Sequence, residues 1–324
     1  MRLLVWTSAA LRASLERLVA DHEVKAVSSV DELVREHADA SVAVLDARAL
    51  ESVGSQPAIP VVLLWEDALP TAVTCMAAHP WLAHVVHVAT LEQPLAADHL
   101  RNLLRTIVDK QPAQLTDWIP ASFTARRVHL AQASSRAARL DKMSEFYASH
   151  GTNERTINVI SDLTEELLTN AFYDAPVAAG IVRDAIPRTL DVRLPDNHPC
   201  DLVYGCSDDL AIVRVRDPFG ALSRQRVLDT LVRCARTDMQ VDVDESGGGA
   251  GLGLWRIVSH ASFVAFSVVE RRATEVLAGV WKRRPGARPF GFHWFFASDS
   301  RSRAWSADQA SDQTAVTIAT PESP

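Results

Sequence analysis

The stretch Gly247-Gly248-Gly249-Ala250-Gly251-Leu252-Gly253-Leu254 is the clearest indication of how the second half of the chain folds. It leads into an apolar segment with helical spacing that runs to about Ala261. Because glycine has no Cβ, the backbone there can approach a ligand closely, and the first N–H groups of a helix attract anions. The stretch therefore predicts a loop and a helix N-terminus that receive phosphate.

A second motif lies upstream, in Glu166-Leu167-Leu168-Thr169-Asn170-Ala171. Glu166 and Asn170 are four residues apart, so a helix places them on one face. An amide oxygen is a ligand for Mg²⁺, and a carboxylate one turn away can deprotonate an attacking hydroxyl. We predict that Asn170 holds the metal and that Glu166 is the catalytic base. A solvated helix face is the alternative for such a pair on its own.

The third motif, Asp217-Pro218-Phe219-Gly220, follows a predicted strand over residues 211–216. Pro218 disfavours helical geometry at the residue before it, which keeps Asp217 at the strand end. A buried carboxylate accepts hydrogen bonds, so it suits the exocyclic amine of adenine and rejects the carbonyl of guanine. The three motifs together predict an ATP site, although Asp217 alone would read as a turn residue.

The composition indicates about two domains and gives no signature of nucleic-acid or membrane binding. The chain has 324 residues, with 33 basic and 40 acidic side chains and a net charge of −7. Domains of about 100–200 residues are typical, and a net negative charge opposes binding to polyanions. The four cysteines form no CxxC pair, and charged residues interrupt the apolar opening. We therefore expect reduced thiols, no export and a cytoplasmic location.

The domain organisation follows from the changes in pattern along the chain. Residues 1–109 alternate apolar runs with helical patterns, which predicts a doubly wound parallel sheet in which Asp31 caps the second helix. Residues 110–124 contain two prolines and are predicted as a linker. Residues 125–297 form the predicted nucleotide-binding domain, and its last apolar run, Phe290–Phe296, is expected to pair with its sheet. The Ser-, Ala-, Asp- and Thr-rich residues 298–324 predict a disordered tail.

A polar segment over Ala221–Ser246 separates the second and third motifs and is the candidate for a lid over the phosphates. It contains four arginines that could offset phosphate charge, although the chain is rich in arginine throughout. The sequence does not single out one of them; they are Arg224, Arg226, Arg233 and Arg236.

The order ExxxNA, DxxG and GxGLGL resembles that of the GHKL superfamily of ATPases, and most closely the anti-sigma-factor serine kinases, over roughly residues 122–296. The resemblance implies an α/β sandwich with helices on one face of a mixed sheet. It implies ATP and Mg²⁺ as cofactors, with Asn170 on Mg²⁺, Glu166 as base and Asp217 on adenine. The residues that it implies for contact with the nucleotide or for making room for it are Gly220, Gly249, Gly251, Gly253 and Thr274.

Three positions depart from the pattern of that superfamily. Phe219 stands where a glycine is usual, and Ala273 stands before Thr274 where a glycine is also usual. Asp174 follows the helix of Asn170 where basic residues or histidine are commoner, so it would bring negative charge close to the phosphates unless it points away. These departures bear more on turnover than on binding.

The first 109 residues resemble a response-regulator receiver domain of the flavodoxin-like class, and Asp46 falls where such domains carry the phosphoacceptor. Thr7-Ser8 stands in place of the acidic pair that holds Mg²⁺, and Gln93-Pro94 stands in place of the Lys-Pro of the last loop. We therefore predict a pseudo-receiver, an unphosphorylated docking module in which Asp46 is a strand-end residue.

Three functions are open at this point. The first is phosphoryl transfer to a Ser or Thr of a regulatory protein partner, such as an anti-anti-sigma-like or sigma-like protein. The second is a nucleotide-gated scaffold that binds ATP without transferring phosphate. The third is an atypical histidine kinase, for which His99 and His129 lack the expected acidic neighbour and proline. No nucleic-acid or membrane partner is expected, and a homodimer is left open.

Overall fold

The computed structural model describes residues 1–109, 113–195, 198–236, 252–282 and 288–298, and the backbone of a strand at 317–319. The fold is mixed α/β, as predicted, and it divides into two compact units. The first comprises residues 1–113 and 284–295, and the second comprises residues 114–283 and 296–324. Within the described parts every helix is too short or too polar to cross a membrane.

The first unit contains a parallel sheet with the strand order β2-β1-β3-β4-β5. Its central strands are buried apolar runs, as expected where both faces of a parallel sheet are covered. The strands are β1 (Arg2–Trp6), β2 (Glu23–Ala26), β3 (Val42–Asp46), β4 (Val61–Trp65) and β5 (His84–His87).

Five helices alternate with these strands, and side chains cap three of them. Ser8, Ser29 and Asp46 each accept a hydrogen bond from the N–H three residues on. The prediction that Asp31 caps the second helix was wrong, because Ser29 takes that position and Asp31 lies in the first turn. The helices are α1 (Ala9–Leu18), α2 (Val30–Glu36), α3 (Ala47–Ser52), α4 (Leu69–Ala78) and α5 (Ala96–Val108).

The second unit contains a five-stranded sheet with the order β10-β11-β9-β8-β6, accompanied by a short separate strand, β7. The four pairings among the five strands are all antiparallel, whereas the family resemblance implied a mixed sheet. The strands are β6 (Thr124–Leu130), β7 (Asp191–Arg193), β8 (Cys200–Cys206), β9 (Leu210–Asp217), β10 (Phe263–Val269) and β11 (Ala273–Trp281).

The helices of the second unit bury one apolar stripe each. In the longest of them Ile160, Leu163 and Leu167 recur at helical spacing and are buried, and Asn153 caps its first turn. A π-helical turn over Asn170–Asp174 continues this helix. The helices are α6 (Arg136–Ser149), α7 (Glu154–Thr169), α8 (Ala175–Ala178), α9 (Arg224–Arg236) and α10 (Leu252–His260).

The helix α9 corrects the interpretation of Ala221–Ser246 as a polar lid. Val227, Leu228, Leu231 and Cys234 are buried along one face of α9, so residues 224–236 form an amphipathic helix of the folded unit. The arginines between these positions obscured the stripe in the sequence. Residues 237–251, which include Gly249 and Gly251, lie outside the described part of the chain.

Two late strands have partners that lie far away in the sequence. The strand β12 (Gly291–Ala297) pairs antiparallel with β5 through Gly291–His293, and residues 284–295 cluster with the first unit. Its last residue, Ala297, accepts from Glu270 N–H at 3.0 Å, so this run also meets the second unit, with whose sheet it was expected to pair. The strand β13 (Thr317–Ala319) pairs antiparallel with β7, so this part of the tail predicted as disordered has a partner. The sequence of such a short run does not indicate which strand it will pair with.

Part of the predicted linker is folded into the second unit. Leu115–Trp118 form a 3₁₀ turn in which Leu115 and Trp118 are buried. The N–H of Leu115 donates to Glu275 Oε2 at 3.1 Å. Glu275 also pairs with the buried Arg214, whose Nη1 lies 2.6 Å from Asp201 Oδ2. These groups lie on strands, so burial is tolerated because each charge has an opposite partner.

Candidate nucleotide site

An open pocket lies in the second unit beside the ends of α7 and β9, and the empty space in it, including solvent at its mouth, is about 610 Å³. Its lining is mostly apolar and includes five charged or polar residues that were named from the sequence. The lining residues are Leu167, Asn170, Ala171, Asp174, Ala175, Ala178, Val215, Asp217, Leu222, Arg226, Leu254, Phe266, Thr274 and Val276.

Asp217 lies in this pocket as the last residue of β9 and is 8% exposed. Burial raises the pKa of its carboxyl to about 6, while the N–H groups of Phe219 and Gly220 and the neighbouring Thr274 favour the charged form. The N–H of Phe219 donates to Asp217 Oδ1 at 2.8 Å. The carboxylate is therefore held by the turn after it and remains an acceptor at neutral pH.

Thr274 lies opposite Asp217 on β11 and also lines the pocket. It is 3% exposed, and its hydroxyl favours the charged form of the neighbouring Asp217 carboxyl. The structure thus brings Asp217 and Thr274 together, and contact of Thr274 with a nucleotide stays a prediction.

Asn170 ends α7 and begins the π-helical turn, and its side chain lines the same pocket. Its backbone N–H donates to the carbonyl groups of Glu166 and Leu167. A π-helical turn widens the spacing of side chains at this point, and such turns are frequent at functional sites. Asn170 is therefore presented to the pocket by the end of a rigid helix.

Asp174, one turn further on, also lines the pocket, but its charge is paired. Arg188 Nη2 lies 2.9 Å from Asp174 Oδ1 and 3.1 Å from Oδ2. The guanidinium of Arg188 also lies over the ring of Tyr173, 5.1 Å from its centroid. The sequence showed Asp174 as an unfavourable charge near phosphates, and it gave no sign that Arg188 would offset it.

Glu166 points toward α10, and it is not among the residues that line the pocket. Arg256 Nη1 lies 3.0 Å from Glu166 Oε1. A Cβ on Gly253 would overlap Glu166 Oε2, so the glycine allows α10 to approach α7. Glu166 and Gly253 are thus brought into contact with each other, with the carboxylate in an ion pair.

Gly220 has a backbone role that is distinct from the predicted one. Its φ is +61°, and a Cβ would overlap backbone atoms of Val269, Arg272 and Ala273. Its carbonyl accepts from Arg271 N–H at 3.2 Å. Gly220 therefore allows the turn after β9 to pack against the β10–β11 turn. Its role in making room for a nucleotide stays a prediction.

The beginnings of two helices meet the pocket. Leu222 and Arg226, at the start of α9, line it, and so does Leu254 in the first turn of α10. Ser223 Oγ accepts from Arg226 N–H at 3.2 Å and caps α9. Helix N-termini favour anions. Of the four arginines named from the sequence, Arg226 is the one found among the described residues that line the pocket, so the structure favours it as the phosphate ligand.

These groups fit ATP better than they fit a metal alone. The apolar lining suits a base, Asp217 with the neighbouring Thr274 hydroxyl suits its polar edge, and Arg226 with the helix N-termini suits phosphates. The described residues hold no group of three or more His, Cys, Asp or Glu side chains arranged for a metal. Asn170 can supply one oxygen to Mg²⁺, whose other ligands would come from phosphates and water.

The phosphoacceptor candidates Asp46, His99 and His129 do not form a second site. Asp46 Oδ1 accepts from Ala49 N–H and Oδ2 accepts from Ser8 N–H, both at 2.9 Å, so the carboxylate joins a strand end to two helix starts. His99 is 5% exposed and its Nε2 lies 3.2 Å from that of His293. His129 lies on β6, 3.4 Å from Asp201. Neither histidine is placed as an exposed phosphoacceptor on a helix pair.

The comparisons with known proteins name no family. No family model and no curated protein matches the sequence. Among solved structures, the chain is similar to one in the SiaB–SiaC complex from Pseudomonas aeruginosa, with 13% identity and a TM-score of 0.30. The match covers 48% of this chain and 88% of that one. At that TM-score the similarity implies no function for this chain.

Proposed function

We propose that the second unit binds ATP with Mg²⁺ and that the protein is a cytoplasmic signalling regulator of the GHKL type acting on a protein partner. The observation that carries the proposal is the convergence of Asn170, Asp217 and Thr274, from separate parts of the sequence, on one pocket that two helix N-termini also meet. Asp217 reads the amine of adenine, and Arg226 meets the phosphates. Asn170 holds Mg²⁺, which would neutralise charge on the phosphates.

The reaction that we propose is transfer of the terminal phosphoryl group to a Ser or Thr of the partner, of the anti-anti-sigma-like or sigma-like kind. Glu166 accepts the proton of the attacking hydroxyl. Arg256 Nη1 holds Oε1 of this carboxylate at 3.0 Å, so Oε2 is the oxygen that takes the proton. The first unit, whose strand order β2-β1-β3-β4-β5 is that of doubly wound receiver-like folds, serves as the docking module.

The second candidate is a nucleotide-gated scaffold that binds ATP without phosphoryl transfer. The pairing of Glu166 with Arg256, and the absence of Glu166 from the pocket lining, favour this reading. In that case ATP changes which partner is bound, and Glu166 acts as a structural link between α7 and α10.

Binding of ATP·Mg²⁺ to the full chain, measured by titration calorimetry, tests the proposal. We expect a saturable heat that Asn170→Ala reduces in the presence of Mg²⁺, and no heat even at millimolar ATP would contradict the proposal. Co-purified partners, captured with and without ATP, then distinguish the two functions. For a kinase, Glu166→Gln keeps ATP affinity and abolishes transfer of label to the partner. For a scaffold, Glu166→Gln leaves partner exchange unchanged.

A further inference from the structure

The strand β13 pairs with β7 in a ladder of three residues: Thr317, Ile318 and Ala319 lie opposite Arg193, Val192 and Asp191. On its other side β7 is joined to the chain after β6, where Leu194 N–H donates to Ala131 O at 2.8 Å. Val192 is fully buried. The C-terminal segment therefore completes a small sheet whose middle strand is β7.

The residues just before β7 hold the wall of the nucleotide pocket. Arg188 pairs with Asp174, and its Nη1 donates to the carbonyl of Thr169 at 3.3 Å. Tyr173 Oη donates to Leu190 O at 2.8 Å. Asp174 and Tyr173 belong to the π-helical turn that begins with Asn170. The path from the C-terminal strand to the predicted Mg²⁺ ligand is thus a chain of direct contacts.

The pair between Arg188 and Asp174 cannot hold this segment in place by itself. The two side chains are 35% and 36% exposed, and ion pairs of that exposure contribute little because water screens them and their side chains lose freedom. The segment that carries Arg188 is also held by Tyr173 Oη, which donates to the carbonyls of Arg188 and Leu190, and it continues directly into β7, whose other partner is β13.

We propose that β13 is a regulatory segment that sets the nucleotide affinity of the pocket. This rests on the proposed ATP binding. With β13 in place, Arg188 stays on Asp174 and the wall facing the phosphates is neutral. When β13 leaves, β7 loses one of its two neighbours, the segment that carries Arg188 is held less firmly, and Asp174 spends more time unpaired, where its carboxylate repels the phosphates. By thermodynamic linkage, bound nucleotide strengthens the docking of β13 by the same factor.

Removal of residues 317–324 tests this, with removal of residues 320–324 as the matched control that leaves β13 intact. We expect the first truncation to weaken ATP·Mg²⁺ binding about fivefold or more, the lower range of allosteric coupling, and the control to leave it unchanged. Asp174→Asn in the truncated chain should restore most of the loss, because the uncompensated charge is gone. Equal affinities for the two truncations overturn the proposal.

Hydrogen exchange separates failure of this inference from failure of ATP binding. Without nucleotide, the longer truncation should raise exchange at Asp191–Arg193 and leave the sheet amides of β8 and β9 unchanged. If ATP binds to neither chain, the proposed function fails, and the exchange result still reports whether β13 holds β7. If ATP binds equally and exchange is unchanged, the regulatory role is wrong.

Discussion

At the scale of single residues, the burial of Asp217 bears on its proposed role as the acceptor for adenine. Because its pKa is about 6, the carboxylate is charged at pH 7.5 and takes up a proton as the pH falls below 6. A bound amine that donates to the carboxylate favours the charged form and lowers that pKa. Binding of adenine should therefore release protons near pH 6.

The prediction from this residue is that ATP affinity falls between pH 7.5 and 5.5 and that binding at pH 6 releases part of a proton. Calorimetry in buffers of different ionisation enthalpy measures both. Asp217→Asn should remove the proton release, weaken ATP about tenfold and reduce the preference for ATP over GTP. Asp208→Asn, at an exposed turn position, is the control. An unchanged preference in Asp217→Asn would show that another group reads the base.

Substitution of Arg226 tests, also at the scale of single residues, whether this side chain binds the phosphates of ATP. Arg226→Gln should weaken ATP about tenfold, since a hydrogen bond to a charged group contributes roughly 1.5–3 kcal/mol, and should leave adenosine binding unchanged. Arg233→Gln is the matched control, because Arg233 lies two turns along the same helix and does not line the pocket. Equal losses in both variants, or equal losses for ATP and adenosine, would place the phosphates elsewhere.

At the scale of elements, two glycines allow the cost of a left-handed backbone to be distinguished from the cost of steric overlap with a neighbouring turn. Gly151 and Gly220 have φ of +69° and +61°. A Cβ on Gly151 meets nothing within 4 Å, whereas one on Gly220 overlaps backbone atoms of the β10–β11 turn. Gly151→Ala should therefore cost only the left-handed conformation, about 1–2 kcal/mol.

Gly220→Ala should cost that amount and the displacement of the turn, a further ~1–3 kcal/mol as for other overpacked sites. Urea unfolding of the two variants measures the difference. The variant Gly220→Ala should also weaken ATP binding, since the displaced turn leads into β11 and Thr274. If the free energy of unfolding falls by the same amount in both variants, the β10–β11 turn moves aside at no cost and Gly220 is not required for packing.

The sequence predicted the positions of helices and strands better than it predicted which strands pair with each other. The continuous apolar run over Cys200–Cys206 forms β8 and the helical stripe over Ala96–Val108 forms α5, because each pattern is a local property of the sequence. The pairing of Gly291–His293 with β5 and of Thr317–Ala319 with β7 depends on residues far away in the sequence, so no local pattern indicates it.

The convergence of Asn170, Asp217 and Thr274 was predictable from motif order. The pairing of Glu166 with Arg256 and of Asp174 with Arg188 was not, because many arginines compete for these carboxylates.

At the scale of the molecule, the first unit carries buried histidines that make its stability depend on pH. Burial lowers the pKa of His99 to about 4, and burial together with the neighbouring His99 and His84 holds the pKa of His293 well below its ordinary value. In the unfolded chain these groups titrate near 6.5. As the pH falls from 6.5 toward 4, the unfolded state therefore binds protons that the folded unit excludes.

By linkage, the first unit should lose stability over this window, by on the order of 3 kcal/mol for His99 alone once the pH reaches 4, since each pKa unit is about 1.4 kcal/mol. Hydrogen exchange of β5 and α5 as a function of pH, corrected for the intrinsic rate, measures this. His37→Gln, at a half-buried surface position, should leave the slope unchanged, while His99→Asn should reduce it. A first unit whose protection is constant from pH 6.5 to 4 would mean that water reaches the histidine cluster. In that case the cluster would titrate as freely as it does in the unfolded chain.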